Sequence, residues 1–180
     1  MRQLRDQGGW TLMEALVVCG MITVLAGVAV PQYAAMAQHM RTGAAASQLL
    51  GDLAYARSMS QRTGAFHYLE ATAGSSVTYQ VKRCAGTPCP AGGDPALRTV
   101  TLGDQMPGVG FSRAGAATDP YGAPVNTSIP AVPTVFNPRG LPVAGGSYFI
   151  ASQDGVASYA VSVNGSGRVR MWKRRNGSWQ

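Results

Sequence analysis

GGWTLMEALVVCGMITVLAGVAVPQY, residues 8–33, carries Glu14 as its one charge, and no other follows until Arg41. Residues 15–30 are dense in Val, Ala, Leu and Met. With residues 10–13 and 31–37 on either side they supply the ~20 residues that a helix needs to cross ~30 Å of hydrocarbon. A cleaved secretory signal and a buried core helix are the competing readings. Against the first, Thr11 and Glu14 stand directly before the apolar run, and no small-x-small site with a polar start follows it. Arg2 and Arg5 precede the span, which keeps the leader in the cytoplasm and sends the chain from Arg41 onward to the other side. An acid at the centre of such a span costs about 2.5 to 3.5 kcal/mol, and less near the interface. Glu14 therefore asks for a cationic partner, and a free amino terminus created by cleavage nearby, on this or a neighbouring subunit, is a suitable one.

Residues 34–62, AAMAQHMRTGAAASQLLGDLAYARSMSQR, continue in good helix formers. Met36, Met40, Ala44, Leu49, Leu50, Leu53, Ala56 and Met59 recur at three-to-four spacing and predict one apolar stripe. Pro31 removes a backbone donor and predicts a kink, while Thr63-Gly64 predicts the stop. Beyond Gly64 the period changes to 2. Segments near 66–71, 76–84, 97–102, 147–152, 158–163 and 168–173 are short, rich in Val, Tyr, Thr and Phe, and bounded by turn residues. Each has one apolar face to bury, so a small antiparallel sheet against the later half of the helix is the economical arrangement. Residues 103–146 hold seven of the eleven prolines and predict a long surface excursion with little regular sheet.

Lys and Arg outnumber Asp and Glu by 15 to 8, a formal +7 that biases the chain toward polyanionic partners. With 46% apolar and 13% charged residues the chain is not disordered, and its 23 Gly and 11 Pro exclude a continuous bundle. Two histidines, His39 and His67, and no HExxH, GxxxxGK[ST] or CxxC leave little for enzyme chemistry, and no cofactor or metal is expected. Asp94, Asp104, Asp119 and Asp154 are too scattered for calcium. Cys84 and Cys89 enclose four residues, and on the outer side of a membrane they are expected to form a disulfide contributing about 2 to 3 kcal/mol. Cys19 reads as a small apolar residue of the span.

The sharpest signal is carboxyl-terminal. Residues 158–163 alternate, NGSG supplies a turn, and RVRMWKRR alternates again, which reads as a hairpin. Period 2 puts Val169 and Met171 toward the core and Arg168, Arg170 and Trp172 on the opposite face. Lys173, Arg174 and Arg175 follow, and no acid occurs after Asp154. Arg forks pair with phosphate oxygens, and Trp172, with Trp179 further on, offers a flat surface for an unpaired base. Charges on the wet face of an edge strand are the plainer alternative.

The stretch GG-WTLMEALVV…VPQY resembles the class III signal of type IV prepilins and type II secretion pseudopilins, with Trp10 where Phe is usual. The resemblance implies cleavage after Gly9 by a prepilin peptidase, N-methylation of Trp10, and Glu14 as the acid that aligns subunits in a filament. LAYARSMSQRTG, FNPRGLP and the terminal GRVR are similar to segments of the FimT/GspH family of minor pilins. The implied fold is α+β and type IV pilin-like: a long kinked helix, transmembrane in its first half, packed on a small antiparallel head. Residues 1–9 would be the leader, 10–35 the membrane and filament-core helix, and 36–180 a periplasmic head on a single-pass inner-membrane subunit. The implied partners are other pilin or pseudopilin subunits. GRVR at residues 167–170 also matches the GRxR motif with which FimT-type pilins bind DNA in natural transformation. That implies non-specific DNA binding through Arg168, Arg170, Lys173, Arg174 and Arg175. The alternative is a structural tip or priming subunit, of a pilus or of a type II secretion pseudopilus.

Overall fold

The computed structural model describes residues 11–72, 78–86, 89–90, 93–155 and 157–180. Its elements are α1 (Leu12–Thr63), β1 (His67–Thr72), β2 (Thr78–Arg83), β3 (Ala96–Thr101), α2 (Leu102–Gln105), β4 (Val109–Phe111), β5 (Thr134–Phe136), β6 (Gly146–Ser152), β7 (Ser158–Val163), β8 (Val169–Arg175) and β9 (Ser178–Trp179). The chain forms two compact units, Met1–Ala37 and Gln38–Gln180. A long amino-terminal helix with antiparallel sheet is the α+β, pilin-like arrangement that the sequence implies.

The first unit contains the apolar start of α1, with Pro31 inside the helix. Its large side chains, from Leu12 to Met36, are exposed. Among the described residues α1 is the one helix long and apolar enough to cross a membrane. Its first turn is closed by Thr11, whose Oγ1 accepts the Glu14 backbone N–H at 3.3 Å. Thr-x-x-Glu is the sequence of a capping box, so Glu14 stands where an acid also favours a helix amino terminus.

In the second unit α1 buries Thr42, Ala45, Ala46, Leu49, Asp52, Leu53, Ala56 and Ser60. The expected stripe is therefore right at Leu49, Leu53 and Ala56, and wrong at Met36, Met40 and Ala44, which are exposed. Three of the eight buried positions are polar, which masks the true phase. Each is satisfied locally or by the sheet: Thr42 Oγ1 donates to Gln38 O at 2.8 Å, Ser60 Oγ to Arg57 O at 2.7 Å, and Asp52 accepts from Tyr79 Oη at 2.7 Å. Arg98 completes the last site at 2.8 Å from Asp52. The helix ends at Thr63 because Gly64 takes φ +63°, a left-handed conformation that costs glycine little.

All six expected strands are present, but in two sheets. One has the order β3-β2-β1-β5 and the other β4-β6-β7-β8-β9, with every pairing antiparallel. Leu69, Tyr79, Val81 and Val100 of the first, and Tyr148, Ile150, Val161 and Val163 of the second, join the helix stripe in one core. Tyr148 Oη links the sheets, donating to Thr134 Oγ1 at 2.9 Å and lying 3.3 Å from Leu69 O.

β7 is buried at all six positions, so something must cover its second face. Part of the proline-rich excursion does so. Phe149 N–H donates to Ser128 O at 2.9 Å, and Ser147 Oγ to Asp119 Oδ2 at 3.4 Å. Asp119 also caps its own turn, accepting from Tyr121 N and Ala123 N at 2.9 and 2.8 Å. The excursion is thus a covering layer as well as a surface loop, and it contributes the short strands β4 and β5.

Candidate nucleic-acid interface

β7 and β8 form the expected hairpin, in register from Tyr159 opposite Lys173 to Val163 opposite Val169. Asn164 builds the turn. Its Oδ1 accepts from Arg168 N at 2.9 Å and Ser166 Oγ at 2.7 Å, and its O accepts from Gly167 N at 2.9 Å. Gly167 takes φ +78° and is buried; a Cβ there would lie 2.5 Å from Gly140 O and 3.2 Å from Arg57 Nε. The turn requires this positive φ, which glycine adopts at little cost. Its backbone is also pressed against the loop of residues 137–141.

The five basic positions fare differently. Arg168, Arg170 and Arg175 are exposed, whereas Lys173 and Arg174 are half-buried. Lys173 Nζ lies 5.9 Å from the centre of the Tyr159 ring, on the helix side of the sheet. Arg174 points to the other side and donates to Ala114 O at 2.6 Å, with Gly115 O at 3.4 Å, so it ties the strand to the excursion. Among the described residues the ion pairs are Lys82 with Glu70 and Arg98 with Asp52, and neither involves the five.

The faces follow the strand period with two corrections. Met171, expected in the core, is 41% exposed; its Sδ accepts from Ser47 Oγ at 3.9 Å at the margin of the helix contact. Arg168, expected beside Arg170 and Trp172, stands in the turn just before β8 and lines a groove with Leu50, Arg57 and Gln61 of α1. The aromatic expectation is also corrected. Trp172 packs edge-on to Tyr121 with ring centres 6.0 Å apart, and Trp179 packs on Phe149 at 5.6 Å while its Nε1 donates to Thr118 O at 2.9 Å. Both indoles belong to the contact with the excursion, and Tyr121, 51% exposed, is the ring of that cluster most open to solvent.

Gly9 and Trp10 lie outside the described residues. Cys84 and Cys89 are joined as a disulfide with Cα atoms 5.9 Å apart. Asp94 braces this loop, its Oδ1 accepting from Ala85 N and its Oδ2 from Tyr68 Oη, both at 2.8 Å. His67 is buried with Nδ1 3.1 Å from Ala65 O, a structural position. Sequence reasoning missed the roles of Asp52 and Asp94, whose partners come from distant segments, and of Asp119, which caps its own turn and also accepts from Ser147. It also missed Arg57, which donates from Nε to Gly140 O at 3.0 Å. The three segments LAYARSMSQRTG, FNPRGLP and GRVR meet at that bond.

Neither the curated proteins nor the solved structures include a match to this chain. The family model described as type II transport protein GspH matches residues 45–167, which ends immediately before the basic run. That match spans well over half of the chain, with the whole first sheet and β4, β6 and β7 of the second, and the chain belongs to the GspH family.

Proposed function

We propose that this chain is a minor pilin of a type IV pilus, a structural subunit rather than an enzyme, that captures DNA non-specifically during uptake. In this reading a prepilin peptidase removes residues 1–9 after Gly9, Trp10 becomes the methylated first residue, and Glu14 aligns the subunit among other pilins. The apolar start of α1 stores the subunit in the inner membrane, and the head, residues 36–180, faces the periplasm. The exposed Arg168, Arg170 and Arg175 contact phosphates, Lys173 adds charge from the helix side, and Arg174 serves mainly to hold the strand. The observation that carries this reading is five cations within residues 168–175 with no ion-paired carboxylate among the described residues.

Such binding is electrostatic and reads no bases. With at least three phosphate contacts, log K should fall against log salt with a slope of about −3 or steeper. The test is fluorescence anisotropy of unrelated duplexes with the full chain in neutral detergent, beside Arg168→Gln, Arg170→Gln. Sequence-indifferent, salt-dependent binding that the double variant loses, together with lost transformation and intact piliation, is the expected result. A wild-type chain that fails to bind even at low salt sinks DNA capture.

A second reading is favoured by the family match itself, which covers the body of the head and omits the basic run. In it the chain is a tip or priming subunit, or a type II secretion pseudopilin, and the basic tail docks an acidic neighbour. The same double variant would then reduce piliation or secretion.

A further inference from the structure

The groove at the base of the hairpin has a volume of about 340 Å³ and is lined by Arg57, Ser58 and Gln61 of α1 together with Arg168 and Val169. Arg57 gives its Nε to Gly140 O, which leaves both Nη nitrogens as donors with no protein acceptor among the described residues. Gln61 Nε2 donates to Arg139 O at 3.2 Å, and Arg139 N donates to Asn137 Oδ1 at 2.9 Å, so the backbone of Arg139 is fixed at the rim while its side chain is exposed. Arg57 of the helix and Arg168 of the turn thus line one groove, and the loop residue Arg139 is anchored at its rim through its backbone. None of them forms an ion pair among the described residues. The contact that assembles them is tight: the Gly167 position admits no Cβ against Gly140 O.

We infer that this groove is a phosphate site, taking a phosphodiester of the DNA backbone on Arg57, Arg139 and Arg168. The inference rests on the DNA reading above and extends it from one strand to three elements. Guanidinium forks match phosphate oxygens bidentately, and a backbone held by Arg170 on the strand can continue past Arg168 into the groove. Occupation by an anion also relieves the mutual repulsion of the two like charges that line the groove. The continuous strand pattern of the sequence points to residues 168–175 alone, whereas the fold places the site across α1.

The test is the salt dependence of duplex binding by the full chain in neutral detergent, comparing wild type with Arg139→Gln and with Arg57→Gln. Arg139→Gln removes only an exposed side chain, so it reports even where Arg57→Gln fails to fold. Each variant is expected to make the slope of log K against log salt shallower by about 0.9, one phosphate contact, and to weaken binding equally on every sequence. Wild-type slopes in both, with binding still lost in Arg168→Gln, Arg170→Gln, overturn this inference and leave the DNA reading standing. No binding by the wild type at low salt overturns both. A loss of binding to phosphatidylglycerol vesicles without any change toward DNA also overturns it, by assigning the groove to lipid headgroups.

Discussion

Gly167 occupies a backbone position that an L side chain reaches only with strain, and its missing Cβ is the space in which Gly140 O sits. Alanine at this position would suffer twice. The left-handed conformation costs about 1 to 2 kcal/mol, and forcing a methyl group into an occupied contact adds about 1 to 3 kcal/mol. Gly167→Ala should therefore destabilise the head by about 2 to 5 kcal/mol and loosen Arg168 with it. Gly165, two residues earlier, has no atom within 4 Å of its Cβ position and no positive φ. Gly165→Ala should stay within about 0.5 kcal/mol. Urea unfolding followed by tyrosine and tryptophan fluorescence compares the two, and equal midpoints would refute the distinction.

At the scale of the element, α1 shows how a helix stripe can be half legible. Leu49, Leu53 and Ala56 follow apolar periodicity, but the stripe continues through Thr42, Asp52 and Ser60, whose polarity hides it from any hydrophobic count. Met36 and Met40 are apolar and periodic, yet they are 57% and 60% exposed. Leu49→Ala and Leu53→Ala should each cost about 2 to 5 kcal/mol, as truncations in a filled core do. Met40→Ala should leave the unfolding midpoint of the head nearly unchanged, and a large loss there would restore the stripe expected from sequence. In the strands the six longer segments announce themselves by alternation. β4 and β5 have three residues and β9 two, too few for a period to be visible.

For the whole molecule, three buried tyrosines tie the layers together: Tyr79 binds helix to sheet through Asp52, Tyr148 binds sheet to sheet, and Tyr68 braces the disulfide loop through Asp94. Burial is the main reason that all three phenols ionise above the ordinary value of 10. The neighbouring carboxylates add to this for Tyr68 and Tyr79, and Tyr148 is pushed up to about 12. The folded chain therefore keeps protons that the unfolded chain releases. Stability from this source is whole below pH 10 and declines as pH rises from 10 toward about 12. Unfolding midpoints measured across that window should fall with pH, and less steeply in Tyr148→Phe. A flat profile would show that the phenols do not couple the layers.

The sequence by itself determined the amino-terminal helix, its stop at Gly64, the six main strands, the β7–β8 hairpin and the concentration of positive charge after Asp154. These follow from local patterns: an unbroken apolar run, a switch from period 3.6 to period 2, and turn residues at fixed offsets. Folding alone determined which of those charges remain open. Arg174 and Trp172 look equivalent to Arg170 in a strand pattern, but residues 112–133 cover the second face of their sheet and take them as anchors. Arg57, silent as an isolated basic residue, comes to Arg168 only because Gly140 and Gly167 let two backbones touch. Period and composition specify which way a residue faces along its own element, whereas the layer laid over that face comes from residues distant in the chain.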